Sequence, residues 1–297
     1  MTTHDTSDTH QLLTFERHRD RLFGIAYRML GSVADAEDVV QDAYLRWHAA
    51  DTSTVKSAEA WLVAVTTRLS IDRLRAAATE RERYVGAWLP EPIATSAASS
   101  PDRNVELASD LSMAFLVLLE RLAPEERAAL LLRDVFDNGY DEIARVLDKS
   151  ESAVRQMVHR ARTRVRGERA RFVVPPETTE RLLEQFLTAL RTDDRDAMLA
   201  LLGDEATFVV DSGGKVSAIR NVLRGAMTIA RFLLGIEQKW GSATRHEVEW
   251  INGEPAVVTY HGDHVFSAMA VESDGERLTA FYRVLNPEKL KHVSPAG

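Results

Sequence analysis

Apolar positions between residues 12 and 83 recur with the 3.6-residue period of a helix. Leu22, Ile25, Ala26, Met29 and Leu30 form one stripe, Gly31–Ser32 ends it, and a second helix is predicted from near Asp35. A third is predicted from about Ser57 to Arg83, with Trp61, Val65 and Leu69 on its apolar stripe. Residues 90–104 (PEPIATSAASSPDRN) carry neither a helical nor a strand period and read as a linker. Helical text returns from Val105 to Arg171, with Pro124 suited to a helix start. Val173-Val174-Pro175-Pro176 interrupts it, and two short helices are predicted over about 177–191 and 194–202. After them the period changes to two: ATFVVDSGGKV holds a strand and a Gly-Gly turn, and residues 244–285 alternate between Asn-Gly, Gly-Asp and Asp-Gly turns. The pattern predicts a multidomain chain, two all-α modules joined by a linker and followed by an α+β domain with a curved antiparallel sheet.

Composition removes several kinds of chemistry. The 297 residues include no cysteine, which excludes disulfides, thiolate zinc sites, iron–sulfur clusters and thiol catalysis. No apolar run approaches the length of a membrane span, and the opening MTTHDTSDTH does not read as a signal peptide, so a cytoplasmic protein is expected. The net charge of −8 argues against a nucleic-acid partner until it is resolved along the chain. Residues 155–171 hold seven arginines against Glu168 alone, and local field steers a polyanion more than the total does.

That basic stripe belongs to YDEIARVLDKSESAVRQMVHRAR, from Tyr140 to Arg162. Ile143, Ala144 and Leu147 make one short apolar face, Asp148 to Ser150 a turn, and Val154, Met157, Val158, Ala161 and Val165 a second face. Two short helices joined by a tight turn describe a helix-turn-helix. Ser152, Arg155, Gln156, His159 and Arg160 fall away from the second apolar stripe, where arginine and glutamine can pair with base edges. Arg162, Arg164 and Arg166 suit phosphates or solvent. Upstream, Asp35, Asp38 and Asp42 share a helical stripe with Gln41 beside it, an acidic face open to a basic protein partner. Arg68, Asp72 and Arg75 stand at i, i+4 and i+7, so that Asp72 is placed to brace both arginines.

Together these three segments resemble bacterial sigma factors of the extracytoplasmic-function (ECF) class, over residues 12–83 and 105–171. The resemblance implies that AEDVVQDAYLRW grips the clamp helices of core RNA polymerase, with Asp38, Gln41 and Asp42 as contacts. It implies that WLVAVTTRLSIDRLR, through Trp61, Arg68, Asp72 and Arg75, captures the −10 element, the loop from about Ala49 to Ala60 admitting a flipped base. The helix-turn-helix then reads the −35 element. Three further motifs are similar to those of a subset, the SigJ-like factors, which carry a fused SnoaL-like domain of the NTF2-like fold. They are Trp88-Leu89-Pro90-Glu91-Pro92, Asp211-Ser-Gly213-Gly214-Lys215 and Asn286-Pro287-Glu-Lys289-Leu290. Ser212 stands where the family has a glycine, and Glu288 where it has aspartate.

On this reading the chain is expected to have an unordered stretch 1–11, a region 2 module (12–84), a linker (85–104), a region 4 module (105–172), a SnoaL-like domain (175–290) and a tail (291–297). It initiates transcription from specific promoters, makes no covalent chemistry and needs no cofactor or metal, and the fused domain regulates it in cis. A monomer is expected when free, with the NTF2-like cone a candidate site for a small ligand. The alternatives are a helix-turn-helix repressor, or a fused enzyme or ligand sensor with a DNA-binding half. For the enzyme, Asp211, His261, His264 and Trp250 are the residues to nominate.

Overall fold

The computed structural model describes residues 4–95, 111–169 and 174–293. Part of the expected linker (96–104), the start of the second helical stretch and the last four residues lie outside them. The chain forms two compact units, residues 1–82 with 118–167, and residues 83–117 with 168–297.

In the first unit, α1 (His4–Leu30), α2 (Val33–Ala49) and α3 (Ala58–Glu82) pack together, and α1 already runs through residues 4–11, which were expected to be unordered. Gly31, at φ +66°, ends α1, and Ser32 caps α2 by accepting from the Asp35 amide. On α3 the expected stripe is wrong. Trp61, Val65 and Leu69 are only half-buried, whereas Leu62, Thr66, Ser70 and Leu74 are buried. Ser70 is tolerated inside because its hydroxyl donates to the Thr66 carbonyl one turn back, at 2.8 Å. The same unit contains α5 (Pro124–Asp134), α6 (Tyr140–Leu147) and α7 (Glu151–Arg169), and α4 (Met113–Leu119) precedes them. Asp148, left-handed at φ +52°, closes α6, and Ser150 Oγ accepts from the Ala153 amide to open α7.

The second unit is built on six strands: β1 (Leu202–Asp211), β2 (Leu223–Arg224), β3 (Arg245–Ile251), β4 (Glu254–His261), β5 (His264–Ser273) and β6 (Leu278–Val284). Their order is β2-β1-β6-β5-β4-β3. The sheet is mixed and not wholly antiparallel as expected, because β1 lies parallel to β6. β6 enters as the last strand of a meander, and its free edge is the one that β1 meets.

Two hydrophobic cores flank the sheet. On one face α8 (Pro176–Arg191), α9 (Arg195–Leu201) and α10 (Ala226–Trp240) bury Leu183, Phe186, Met198 and Ile229 against Phe208 and Phe281. Leu89, Met113, Leu290 and Val293 cover the other face, against Ile251, Val258, Ala268 and Val284. Part of the stretch expected to be a free linker is therefore a layer of this unit. Leu89 is 1% exposed, burial that contributes about 2 kcal/mol. Ala94 adds a β-bridge to Ile251.

Candidate functional sites: a nucleic-acid interface and a buried latch

All five residues expected to read the −35 element, Ser152, Arg155, Gln156, His159 and Arg160, are exposed on α7, opposite the buried Val154, Met157, Val158, Ala161 and Val165. The Arg155 guanidinium lies 4.3 Å from the Tyr140 ring centroid and pairs with Glu151 at 3.3 Å. Arg162 and Arg164 are held by carboxylates of α5, Asp134 and Glu126, the Arg162 Nε–Asp134 Oδ2 distance being 2.9 Å. These two brace the helix against its own module, which makes them poorer phosphate ligands than expected.

Asp38, Gln41 and Asp42 are exposed along α2. Leu45, one turn on, is 54% exposed. Leu45 stands three and four residues beyond Asp42 and Gln41, on the acidic stripe and off the apolar one of Val40, Ala43 and Trp47, and only the charged positions of that stripe carry a sequence signal. Arg73 of α3 donates to Asp35 at 2.6 Å and to Asp38 at 3.3 Å.

The expected brace of Arg68 by Asp72 does not form. Arg68 instead donates from Nε and Nη2 to the carbonyls of Val146 and Arg145, both at 2.9 Å. Those carbonyls end α6, where the helix leaves acceptors unpaired and its dipole favours a cation. Arg75 pairs with Glu125 at 2.7 Å and only loosely with Asp72, at 3.6 Å. Trp61 packs on Trp47 with ring centroids 5.3 Å apart. The loop before α3 is exposed around Ser53 and Lys56 and is pinned by Asp51, whose carboxylate accepts from the Ser53 amide at 3.1 Å.

In the second unit the three short motifs converge. Asp211, fully buried at the end of β1, accepts from the Tyr84 hydroxyl (2.6 Å), the Leu89 amide (2.8 Å), the Gly213 amide (3.1 Å) and Lys289 Nζ (2.7 Å). Lys289 also donates to the Leu89 carbonyl at 2.6 Å and lies 4.0 Å from the Trp88 ring centroid. Asn286 Nδ2 donates to the Tyr84 hydroxyl at 2.9 Å. Buried charge of this kind is tolerated only when fully paired, and here both partners are. Gly213 and Gly214, at φ +55° and +71°, let the turn after Asp211 come close: a Cβ on Gly213 would lie 2.5 Å from Asn286 Nδ2. Ser212 is not among the residues with positive φ, so the serine costs no backbone strain there. Lys215 pairs with Glu288 at 3.0 Å on the exposed rim. Pro90 and Pro92 are buried beside Leu89, with Glu91 half-buried between them. Pro287 opens the short 3-10 turn that brings Lys289 round, and Leu290 is buried behind it.

Tyr84 was not singled out from sequence, since a lone tyrosine beyond a helix end carries no local signal. Burial, and then the Asp211 carboxylate, push its hydroxyl above the ordinary tyrosine range. A raised native pKa contributes stability that is complete below the unfolded value of about 10 and is lost as pH rises above it. Thermal unfolding between pH 8 and 11 should therefore show a shallower alkaline decline for Tyr84→Phe than for the parent. Part of the decline remains, because burial and Glu249 hold Tyr260 up at about 12. Equal slopes in parent and variant would refute the assignment.

The residues nominated for catalysis do not assemble. Asp211 is consumed by the latch, His261 and His264 face each other exposed on the β4–β5 turn, and Trp250 contributes its carbonyl to the Thr95 amide at 2.8 Å. A small cavity of about 20 Å³, room for about one water, lies on the helix-covered face, lined by Phe186, Leu187, Leu233, His246, Thr259 and Arg283 among others. None of its polar residues was anticipated. Among the described residues no group of histidine or acidic side chains is arranged to hold a metal, and no helix is long and apolar enough to cross a membrane.

A helix-turn-helix in one compact unit with a three-helix acidic module defines a promoter-reading initiation factor, and comparison with known proteins agrees. Residues 14–80 match the family model for Sigma-70 region 2, and residues 112–165 that for Sigma-70, region 4. The chain is 38% identical over 287 residues to the ECF RNA polymerase sigma factor SigJ of Mycobacterium tuberculosis, covering 93% of this chain and 91% of the relative. It is 29% identical over 276 residues to the probable ECF sigma factor SigI of the same organism, covering 92% of each. The crystal structure of M. tuberculosis SigJ matches with a TM-score of 0.78 at 34% identity, over 96% of this chain and 100% of that one. The chain belongs to the ECF RNA polymerase sigma factors, with a domain built on a mixed six-stranded sheet behind the two sigma modules. It is a non-enzymatic factor for promoter-specific transcription.

Proposed function

We propose that the exposed face of α2 (Asp38, Gln41, Asp42 and Leu45) docks on core RNA polymerase, that α3 with the loop before it takes the −10 element, and that α7 reads the −35 element. Work of this kind places the protein in the cytoplasm. We further propose that the second unit keeps the factor closed by holding the segment that joins its two DNA-reading modules.

The observation that carries the closed reading is Asn252. Its side chain accepts from the Ile93 amide at 2.9 Å and donates to the Leu111 carbonyl at 3.1 Å, so one residue holds two points of the inter-module segment that are 18 positions apart. The −35 and −10 elements stand about 25 bp apart, about 85 Å along the duplex. Released, the thirty residues 83–112 between α3 and α4 extend to about 100 Å. Pinned at Asn252, they cannot contribute that reach. The bonds from Arg68 to the C-terminal end of α6 act in the same direction, tying a −10 candidate to the helix-turn-helix. A helix-turn-helix repressor would have no use for such a device.

Run-off transcription from the promoter of its own gene tests this, with purified core polymerase and either the full-length protein or a chain ending at Leu285. The truncation removes Asn286 and Lys289 and should raise transcript yield. Unchanged or lower yield, with binding to core intact, would reject control by the latch while leaving the sigma assignment in place.

A further inference from the structure

We propose that Tyr140 is a positioning residue for base reading: its ring sets the plane of the Arg155 guanidinium, so that Arg155 presents a paired N–H edge to a guanine and not a swinging charge to the phosphates. The proposal rests on the assignment of α7 to the −35 element. Tyr140 is the first residue of α6, the helix that precedes α7 in the helix-turn-helix. The Arg155 guanidinium lies over its ring, 4.3 Å from the centroid.

The ring is itself held from three sides. The Gly139 amide donates to Glu142 Oε2 at 3.0 Å, which fixes the first turn of α6 and with it the backbone that carries Tyr140. The Arg133 guanidinium also lies over the ring, 5.1 Å from its centroid. That arginine is pinned in turn, its Nη1 donating to the Asn138 carbonyl at 2.9 Å and to Asp137 Oδ1 at 3.2 Å. Arg162, bonded to Asp134 at 2.9 Å, is drawn as well to the Tyr140 hydroxyl. Tyr140 is therefore a fixed shelf beside α7.

A guanidinium stacks through its flat face, whereas guanine O6 and N7 accept from two N–H groups on its edge. Tyr140 can thus restrain Arg155 without occupying the donors that read the base. Glu151, one turn back, engages only Nη2, at 3.3 Å. A long arginine with no such shelf loses more rotamer freedom on making a two-point contact, and it reaches a phosphate just as readily. Arg160, also exposed on α7, has its Nε 3.8 Å from Glu126 instead. Stacking therefore favours Arg155 as the guanine reader and gives Tyr140 a part in specificity with no contact to DNA.

Holoenzyme built from the full-length protein and core polymerase tests the proposal, bound to duplexes of the promoter of its own gene with each base placed in turn across the −35 element. The quantity read is the preference for guanine at the position where Arg155→Ala loses it. Tyr140→Leu should lower that preference about two- to fivefold, with a smaller change in binding to the other duplexes. Tyr140→Phe keeps the ring and should recover most of the loss. In an Arg155→Ala background, Tyr140→Leu should change the preference no further, because the ring acts only through that arginine. In the free parent protein, where no substitution puts the fold at risk, the ring current should displace the Arg155 side-chain proton resonances upfield. An unchanged preference in folded Tyr140→Leu, an equal effect with and without Arg155, or undisplaced Arg155 resonances would overturn the proposal and leave base reading by α7 in place. Parent-like base preference in Arg155→Ala at every position would overturn both.

Discussion

Lys289→Met is expected to destabilise the second unit by about 3–5 kcal/mol, the usual cost of removing one partner from a buried ion pair. Methionine keeps most of the aliphatic stem, so the loss is electrostatic and not a cavity. Asp211 would remain fully buried, with the Tyr84 hydroxyl and the Leu89 and Gly213 amides as donors but no compensating cation. The Leu89 carbonyl would lose its donor as well. Adding Asp211→Asn should restore much of the stability, since the double variant buries no net charge, and the non-additivity measures the coupling. Circular dichroism melts of the four proteins give the result. A Lys289→Met protein that melts with the parent would sink the assignment of Lys289 as the charge partner. If the latch controls output, the same variant raises run-off transcription.

The second large effect is expected at α7. Gln156→Ala and Arg155→Ala should each cost about 1–3 kcal/mol of promoter discrimination, roughly five- to 150-fold, because each removes a side chain able to make a bidentate base contact. Both residues are exposed, so the melting temperature should stay within the small range of surface substitutions. Arg162→Ala is the counterpart. Its guanidinium is held by Asp134, so it should lower stability without changing which base is preferred. Binding to −35 duplexes carrying each base substitution separates the outcomes. Uniform weakening across all sequences by Gln156→Ala would make that residue a phosphate contact and overturn its role in base reading.

The helix-turn-helix was legible because everything that makes it is local. A 3.6-residue period, a turn of Asp148 to Ser150 and an arginine-rich outer face all fall within about 30 residues. The acidic face of α2 was readable for the same reason. The stripe of α3 was not, since in a run as apolar as WLVAV hydropathy does not choose a face, and buried Thr66 and Ser70 break the expected pattern. The linker shows a subtler limit. Its described residues, 85–95, form no helix, yet a proline-rich composition says nothing about whether an irregular segment lies in solvent or on a sheet.

By itself, the sequence determined the module order, the DNA-reading helix, the exposed acidic stripe and the three motifs of the latch, all of them features that short-range period or a resemblance can carry. Tertiary structure alone decided what those motifs are for one another. Asp211 meets Tyr84 across 127 positions of chain and Lys289 across 78, and Asn252 meets Leu111 across 141. It also decided that β1 runs parallel to β6, and that Arg283, one position in an alternating strand, is buried with its Nε donating to Ser267 Oγ. Pairing of buried charge and choice of strand neighbour depend on which distant segments share a space, and that is settled only when the sheet closes and its two faces are covered.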